Sequence, residues 1–139
     1  MVYNMHERVI PASPERIWEL LATIGGEQDR LWPGDKSSFR LPEGLIPGAP
    51  VEHGPMRYRV GAIEPGRRLW FDTGTQLSGG HGFTLHPVEG GTLVRHELKG
   101  RTGGVFRLMW PLVIRRKHDV VIEKILDNLE REISRAHAD

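Results

Sequence analysis

The stretch RRKHDVVIEKILDNLEREI, residues 115–133, carries the most regular hydrophobic pattern in the chain. At the helical period of 3.6 residues its apolar side chains fall on one face, joined by the preceding isoleucine. The residues on this face are Ile114, Val121, Ile122, Ile125, Leu126, Leu129 and Ile133. We predict one continuous helix over residues 112–135, whose inward face includes Val121, Ile125 and Leu129.

His118 lies in the middle of this apolar face. A neutral imidazole that is buried without a hydrogen-bond partner costs about 1–3 kcal/mol. Two interpretations follow, and the sequence leaves both open. The ring is either a core histidine bonded to a fixed structural group, or a polar group in the wall of a ligand cavity.

The first part of the chain indicates one strand followed by short helices. Residues 3–10 are predicted to form the strand. Ser13 is a favourable N-cap and Pro14 suits the first helical position, which predicts a short helix ending at residues 25–26. The next segment, residues 27–39, is expected to continue through another helical turn into a loop.

Glycines and prolines divide residues 39–99 into about six strand-length segments. In MRYRVGAI, residues 56–63, apolar side chains alternate with Arg57 and Arg59, a pattern typical of a strand with one buried face. The order of strand, short helices, about six strands and one long helix predicts an α+β fold. We expect a single domain over residues 1–139.

The composition excludes several kinds of function. The 19 lysines and arginines balance 18 aspartates and glutamates, so nucleic-acid binding is not expected. The local cluster Arg115, Arg116 and Lys117 is interpreted as a solvated helix flank. No apolar run approaches the ~18 residues of a membrane span, so we expect no membrane insertion. The chain has no cysteine, which fits a reducing compartment, and we expect a cytoplasmic protein.

Six motifs together resemble the START-like, or SRPBCC, superfamily, which includes polyketide cyclases, lipid-transfer domains and birch-pollen allergens. They are IPASPERIWELLA, WPGD, HGPMRYRV, EPGRRLWF, GHGFTLHP and WPLVIRRKHDVVIEKILDNLE. The resemblance covers nearly the whole chain and is more specific for fold than for function. It implies a helix-grip fold, in which a curved antiparallel sheet wraps the long C-terminal helix and two short helices follow the first strand. It also implies a cavity for an apolar ligand between sheet and helix.

Strand alternation places two further histidines beside that expected cavity. His81 shares its face with Phe83 and Leu85, and His96 shares its face with Val94 and Leu98. We therefore predict ligand-binding residues on the inner faces of sheet and helix, with tryptophans at an entrance. They are His118, His81, His96, Tyr58, Phe83, Val121, Ile125, Trp18 and Trp110, with Trp32 as a further entrance residue.

A metal centre of His81, His96 and His118 is the more ambitious alternative. Imidazole is a common zinc ligand, but the chain has no short ligand spacing such as HxH or HExxH. We therefore expect neither a metal nor another cofactor.

Binding or carriage of a small, largely apolar molecule is the function that these patterns favour. The first alternative is an enzyme resembling polyketide cyclases and dehydrases, with histidine and tyrosine as acid–base groups. Its weakness is that no inward carboxylate can be paired with a histidine, since Asp119 is adjacent to His118 and points elsewhere. A protein-interaction module is the second alternative. We expect a monomer or a homodimer.

Overall fold

The computed structural model describes residues 2–74 and 77–138, apart from the side chains of Leu77, Phe106, His137 and Ala138. The strands are β1 (Val2–Ile10), β2 (Phe39–Arg40), β3 (Pro50–His53), β4 (Met56–Glu64), β5 (Arg68–Asp72), β6 (Leu77–Val88) and β7 (Gly91–Thr102). The α-helices are α1 (Pro14–Leu21), α2 (Phe106–Met109) and α3 (Arg115–Ala138). A 3₁₀ turn, Lys36–Ser38, precedes β2, and a π-helical turn, Trp110–Ile114, joins α2 to α3.

The seven strands form one antiparallel sheet in the order β1-β7-β6-β5-β4-β3-β2. Neighbours from β2 to β7 are consecutive in the chain, while β1 pairs with the last strand, β7. The sheet curves around the long C-terminal helix. The predicted α+β architecture and the run of six strands after residue 39 are both confirmed.

The first helix begins as predicted and ends earlier. The Ser13 side chain accepts a hydrogen bond from the Arg16 amide at 3.2 Å, and Pro14 occupies the first turn. The helix ends at Leu21 because the chain turns back over the next residues, where Gly25 has a φ of +77°. The buried Asp29 carboxylate accepts the Gly25 amide at 2.9 Å and fixes this reversal.

The second predicted helical turn is displaced toward the end of its segment. It is the 3₁₀ turn Lys36–Ser38, capped by Asp35, whose carboxylate accepts the Ser37 amide at 2.8 Å. Pro33 and Gly34 precede it, and the positive φ of Gly34, +89°, is incompatible with a continuing helix. The second of the two short helices is therefore a single turn.

The helical segment is irregular just before α3, at Pro111, a residue type that is expected to break or kink a helix. Residues 112–114, predicted to be α-helical, belong to the π-helical turn, in which the Arg115 amide donates to the Trp110 carbonyl. Pro111 has no amide hydrogen and crowds the preceding turn, which explains the wider winding at this point. The regular helix α3 begins at Arg115.

The core lies between α3 and the concave face of the sheet. The buried helix residues include Ile122, Ile125, Leu126, Leu129 and Ile133, and Val121 packs at the edge as a partly buried residue. From the sheet, Leu69, Phe71, Phe83, Leu85 and Val94 join the same cluster. Among the described residues, none of the helices combines the length and apolarity needed to cross a bilayer.

The middle of strand β1 contacts α3 through charged groups. Its Arg8 guanidinium reaches three carboxylates of α3 at 2.7–3.2 Å, those of Glu123, Asp127 and Glu130. These acids are spaced four and three residues apart and therefore lie along one side of the helix. Arg8 thus fastens the edge strand to the helix along about two helical turns.

Ile125→Ala is expected to lower the free energy of unfolding by roughly 2–5 kcal/mol, because Ile125 is 2% exposed and its truncation leaves a cavity in the core. Urea denaturation measures the loss. Val120→Ala on the same helix is the control, since Val120 is 52% exposed and should change stability by less than about 0.5 kcal/mol. Equal effects of the two substitutions would contradict the packing described.

Arg8→Met is expected to lower the free energy of unfolding by about 1–3 kcal/mol, because three carboxylates lose their shared cation. The loss should shrink when the salt concentration is raised to about 1 M, since the pairs are partly exposed. Arg16→Met is the control, because Arg16 has only an exposed pair with Glu19 at 3.0 Å. A salt-independent loss would show that Arg8 acts through packing alone.

Candidate functional site

Six ionisable rings lie one after another along the interface between the sheet and the start of α3. In spatial order they are His6, His118, His96, His81, Tyr58 and His53, called the ring row below. Successive ring centroids are 6.3, 5.2, 5.6, 5.5 and 6.1 Å apart. The row therefore crosses six strands, from β1 to β3; five of these strands contribute one ring each, β5 contributes none, and α3 contributes His118.

Strand register explains how the row is assembled. His6 on β1 is directly opposite His96 on β7, and His96 is opposite Phe83 on β6. His81 is opposite Phe71 on β5 and lies two residues before Phe83 on the same strand. The inward orientation of His81 and His96 predicted from alternation is thus confirmed, and His118 projects onto them from the helix.

Burial keeps the central rings uncharged. His96 is 1% exposed, and its burial, followed by its neighbours His81 and His118, holds its pKa well below the ordinary value. Burial likewise lowers the pKa of His81 to about 3, helped by His118 and His53. The pKa of His118 is lowered to about 4 by burial, which outweighs the opposing charge of Asp119. At neutral pH the middle of the row is therefore a set of neutral imidazoles.

Several ring nitrogens in the middle of the row have no hydrogen bond within the described part of the chain. They are both nitrogens of His118 and Nδ1 of His96, and all three are buried. His118 Nδ1 comes to 3.9 Å from Asp119 Oδ1, which is too long for a hydrogen bond. The described residues therefore do not give His118 the fixed hydrogen-bond partner that the first interpretation of the sequence requires.

The β3 end of the row is held by aromatic contacts. His53 Nδ1 lies 3.1 Å from the Tyr58 hydroxyl, and Trp32 meets the His53 ring edge-on at 5.2 Å. Burial lowers the pKa of His53 and raises that of Tyr58, so both groups remain neutral near pH 7. Trp32 itself is fixed by stacking on Phe39 at 4.6 Å and by donating to Ser38 at 2.8 Å.

The β1 end of the row has a different character, because His6 lies between two carboxylates of α3. Its Nε2 is 2.8 Å from Asp119 Oδ1 and its Nδ1 is 2.9 Å from Glu123 Oε2. Each ring nitrogen of His6 therefore has a carboxylate partner on α3. Asn4 donates to the same Asp119 oxygen at 2.9 Å. Although partial burial acts in the opposite direction, the bonds from His6 and Asn4 lower the pKa of Asp119.

Sequence reasoning missed His6 and the role of Asp119, and His53 was not among the predicted ligand-binding residues. The signal for His6 was its alternation with Asn4, Arg8 and the buried Ile10, all of which face α3. The opposite face of β1 carries Tyr3, Met5 and Val9, which are more apolar but are exposed in the fold. Hydrophobic alternation therefore points to the wrong face of this strand as the inward one. The carboxylate that the sequence could not pair with a histidine is therefore present, but its partner is His6.

One group of metal-ligating atoms comes together here, from His6, His118 and Asp119, within 4.8 Å of one another. His81 and His96 do not belong to it, so the three-histidine alternative does not form among the described residues. Asp119 Oδ1 already accepts His6 and Asn4, and Arg115 stands 4.0 Å from Oδ2. Both carboxylate oxygens of Asp119 therefore already have polar partners in the protein, as in an ordinary salt bridge.

The remaining residues predicted to bind a ligand lie around the row or in the core. Phe83 packs edge-on against His96 at 4.8 Å, and the Trp110 ring is 5.7 Å from His118. Ile125 is buried in the main core, which Val121 and Trp18 border. Trp110 instead packs with Val2 and Leu98 in a separate cluster, so the three tryptophans do not form one common entrance.

Two open clefts lie away from the central histidines. One open cleft of about 500 Å³ is lined by residues of β4 and β5, among them Tyr58, Arg59 and Asp72. Another of about 320 Å³ lies at the turn after α1, beside Ile24 and Leu41. His81, His96 and His118 line neither cleft. Rings in mutual contact occupy the place where the resemblance implies a cavity.

The fold of the chain is also found among solved structures. No protein-family model and no curated protein matches the sequence. Among solved structures, the Aha1 dimer from Colwellia psychrerythraea is 21% identical, covering 94% of this chain and 97% of that chain with a TM-score of 0.65. Protein NE0264 from Nitrosomonas europaea is 16% identical, covering 99% and 97% with a TM-score of 0.66. The chain has the helix-grip fold.

A third structure with the helix-grip architecture is DynU16, a protein of the dynemicin biosynthetic locus. It is 17% identical and has a TM-score of 0.64, and the match covers 95% of this chain and 47% of that chain. At such identities these likenesses establish the fold alone. What this helix-grip protein binds has to be argued from its own residues.

The pH dependence of stability follows from the lowered pKa values of the ring row. Because His118 titrates at about 4 in the folded state and at 6.5 in the unfolded state, the unfolded chain binds more protons in acid. The free energy of unfolding is therefore expected to be greatest above about pH 6.5 and to fall progressively toward pH 4.

His118→Phe should remove on the order of 3 kcal/mol from this acid-dependent loss. Urea denaturation at a series of pH values measures it. The same substitution at His86, which is exposed on β6, is the control. An unchanged pH profile in His118→Phe would show that His118 is not a neutral buried ring.

Proposed function

We propose that the protein binds and carries a small, largely apolar molecule between the sheet and α3, with His118 and His96 bonding a polar group of that molecule. We also propose that the chain belongs to the START-like superfamily, as its motifs suggest. The observation that carries the proposal is the set of buried, unpaired ring nitrogens on His118 and His96. Each costs about 1–3 kcal/mol when it is left without a partner, a cost that a bound polar group removes.

The surroundings of these nitrogens favour an apolar ligand. Phe83, Trp110 and Leu98 are buried next to the two histidines, so a ligand between them would exchange water for hydrocarbon and aromatic surfaces. Neutral imidazoles offer one donor and one acceptor each, which suits a hydroxyl, a carbonyl or an undissociated carboxyl group. A fully ionised ligand would find no cation here, since burial keeps these rings neutral.

The route of entry proposed for the ligand is past Trp110. Of the side chains described between residues 105 and 113, Trp110 alone is buried. Among the described side chains, this inward ring fastens the segment to the body of the protein, and it stands 5.7 Å from His118. Outward displacement of that ring would open space beside His118.

His118→Phe is expected to weaken ligand binding at least about tenfold while leaving stability at pH 7 unchanged or higher, because no described hydrogen bond is lost. Native mass spectrometry of the purified protein, before and after extraction with organic solvent, identifies the retained molecule. Its affinity is then measured by titrating it back into the extracted protein. His86→Phe is the control for an added aromatic ring.

A destabilised His118→Phe with unchanged affinity would contradict the proposal. So would native spectra in which neither the fresh protein nor protein exposed to a library of small apolar acids, alcohols and ketones carries a ligand.

A cyclase- or dehydrase-like enzyme is the second candidate, and one observation favours it. The pair of His6 and Asp119 places a second imidazole, bonded to a carboxylate, beside the neutral ring of His118. The two ring centroids are 6.3 Å apart, so two groups capable of acid–base chemistry are neighbours. Reincubation of the extracted molecule separates the two functions. Recovery of an unchanged molecule supports carriage, whereas a dehydrated or cyclised product that disappears in His6→Gln supports catalysis.

A further inference from the structure

The segment that leads into α3 exposes apolar side chains to an unusual degree. Val105 is 75% exposed, and Leu108 and Leu112 are each 69% exposed. Their spacing of three and four residues places them on one side of the helical segment, with Val113 beside them. Singly exposed aliphatic residues are ordinary on protein surfaces, but a continuous helical stripe indicates a binding surface.

The same part of the chain carries only positive charge. Between Glu97 and Asp119 there is no acidic residue, and the exposed cations nearest the apolar stripe are Arg107, Arg115, Arg116 and Lys117. The two flanking acids do not neutralise these cations fully, because Glu97 accepts the Tyr3 hydroxyl at 2.9 Å and Asp119 is bound to His6. The surface called the basic apolar patch below consists of Val105, Leu108, Leu112 and Val113 together with Arg107, Arg115, Arg116 and Lys117.

We propose that the basic apolar patch docks the protein on the surface of a lipid bilayer that contains anionic lipids. Aliphatic side chains flanked by arginine and lysine are what the boundary between acyl chains and anionic headgroups accommodates. The protein then lies on the bilayer without spanning it. This proposal is independent of whether the ring row binds a ligand.

Charge decides between this occupant and a second copy of the chain. A two-fold contact through the patch would bring at least eight cations together across one interface, which opposes association. An anionic surface attracts the same cations and accepts the apolar stripe between them. A soluble acidic partner would satisfy the cations but would not by itself require the exposed stripe to be apolar.

Vesicle flotation tests the proposal with the full-length protein. Vesicles of phosphatidylcholine with about 30 mol% phosphatidylserine are compared with vesicles of phosphatidylcholine alone. We expect binding to the anionic vesicles that weakens strongly between about 0.1 M and 0.5 M salt, and little binding to the neutral ones. Equal binding to both kinds of vesicle, or to neither, would overturn the proposal.

Two double variants locate the binding surface. Arg116→Gln with Lys117→Gln should lower the partition coefficient roughly 20-fold, since each cation near the bilayer contributes about fivefold. Leu108→Ser with Leu112→Ser should lower it about tenfold or more. The matched controls are Arg40→Gln with Arg67→Gln for exposed cations and Ile46→Ser with Val88→Ser for exposed aliphatic residues elsewhere.

Thermal unfolding followed by circular dichroism verifies that the variants keep the fold, which is expected because all of the replaced side chains are exposed. Sedimentation velocity without vesicles examines the other occupant. A dimer that dissociates in the Leu108→Ser, Leu112→Ser variant would show that a second copy covers the patch and would overturn docking on lipid. Control variants that lose binding as much as the patch variants would do so too.

Discussion

The structure depends on the packing of α3 against the concave face of the sheet. The buried helix residues from Ile122 to Ile133 supply this contact over about three turns, and Ile125, Leu126 and Leu129 among them are each at most 2% exposed. A fully buried aliphatic side chain contributes about 1.5–3 kcal/mol, which is similar in size to the cost of one unpaired buried ring nitrogen. A helix anchored over three turns in this way can support an uncompensated histidine in its first turns. The burial of these core residues therefore offsets the cost of placing His118 without a partner near the start of α3.

The polar contact between β1 and the same helix follows from the position of β1 at the edge of the sheet. Arg8 and His6 point inward and meet carboxylates of α3, while Tyr3 and Val9 face outward. Charged residues that point inward on an edge strand discourage pairing with another chain, because a wrong partner strand would leave them buried and unpaired. The same arrangement pairs the acidic side of α3 with Arg8 and orients His6 beside His118.

Most of the fold could be predicted because it is encoded in short repeating patterns. The helical period of α3, the glycine and proline boundaries of the strands and the Ser13 cap are all properties of neighbouring residues. The early end of α1 and the π-helical turn could not be read in the same way. The first depends on a carboxylate, Asp29, that receives the turn's amides, and the second on how the chain winds around Pro111.

The candidate site was only partly predictable for a different reason. Alternation identified the inward faces of His81 and His96, which lie within strands of clear apolar pattern. It failed for β1, where the face that contacts the helix is the polar one. His6 and Asp119 are 113 positions apart in the chain. They come together only when the complete sheet has formed.

Trp110 lies between the buried histidines, where a ligand is proposed to bind, and the basic apolar patch. It is 7% exposed and packs on Val2 and Leu98, while the described side chains on both sides of it, from residue 105 to 113, face solvent. Its ring stands 5.7 Å from His118. A contact that shifts the exposed side of this segment would therefore also move the ring beside His118. Trp110 is also the first residue of the π-helical turn that contains Pro111, and such turns occur frequently at functional sites. The sequence WPLVI, residues 110–114, thus places the most buried side chain of the segment at its least regular turn.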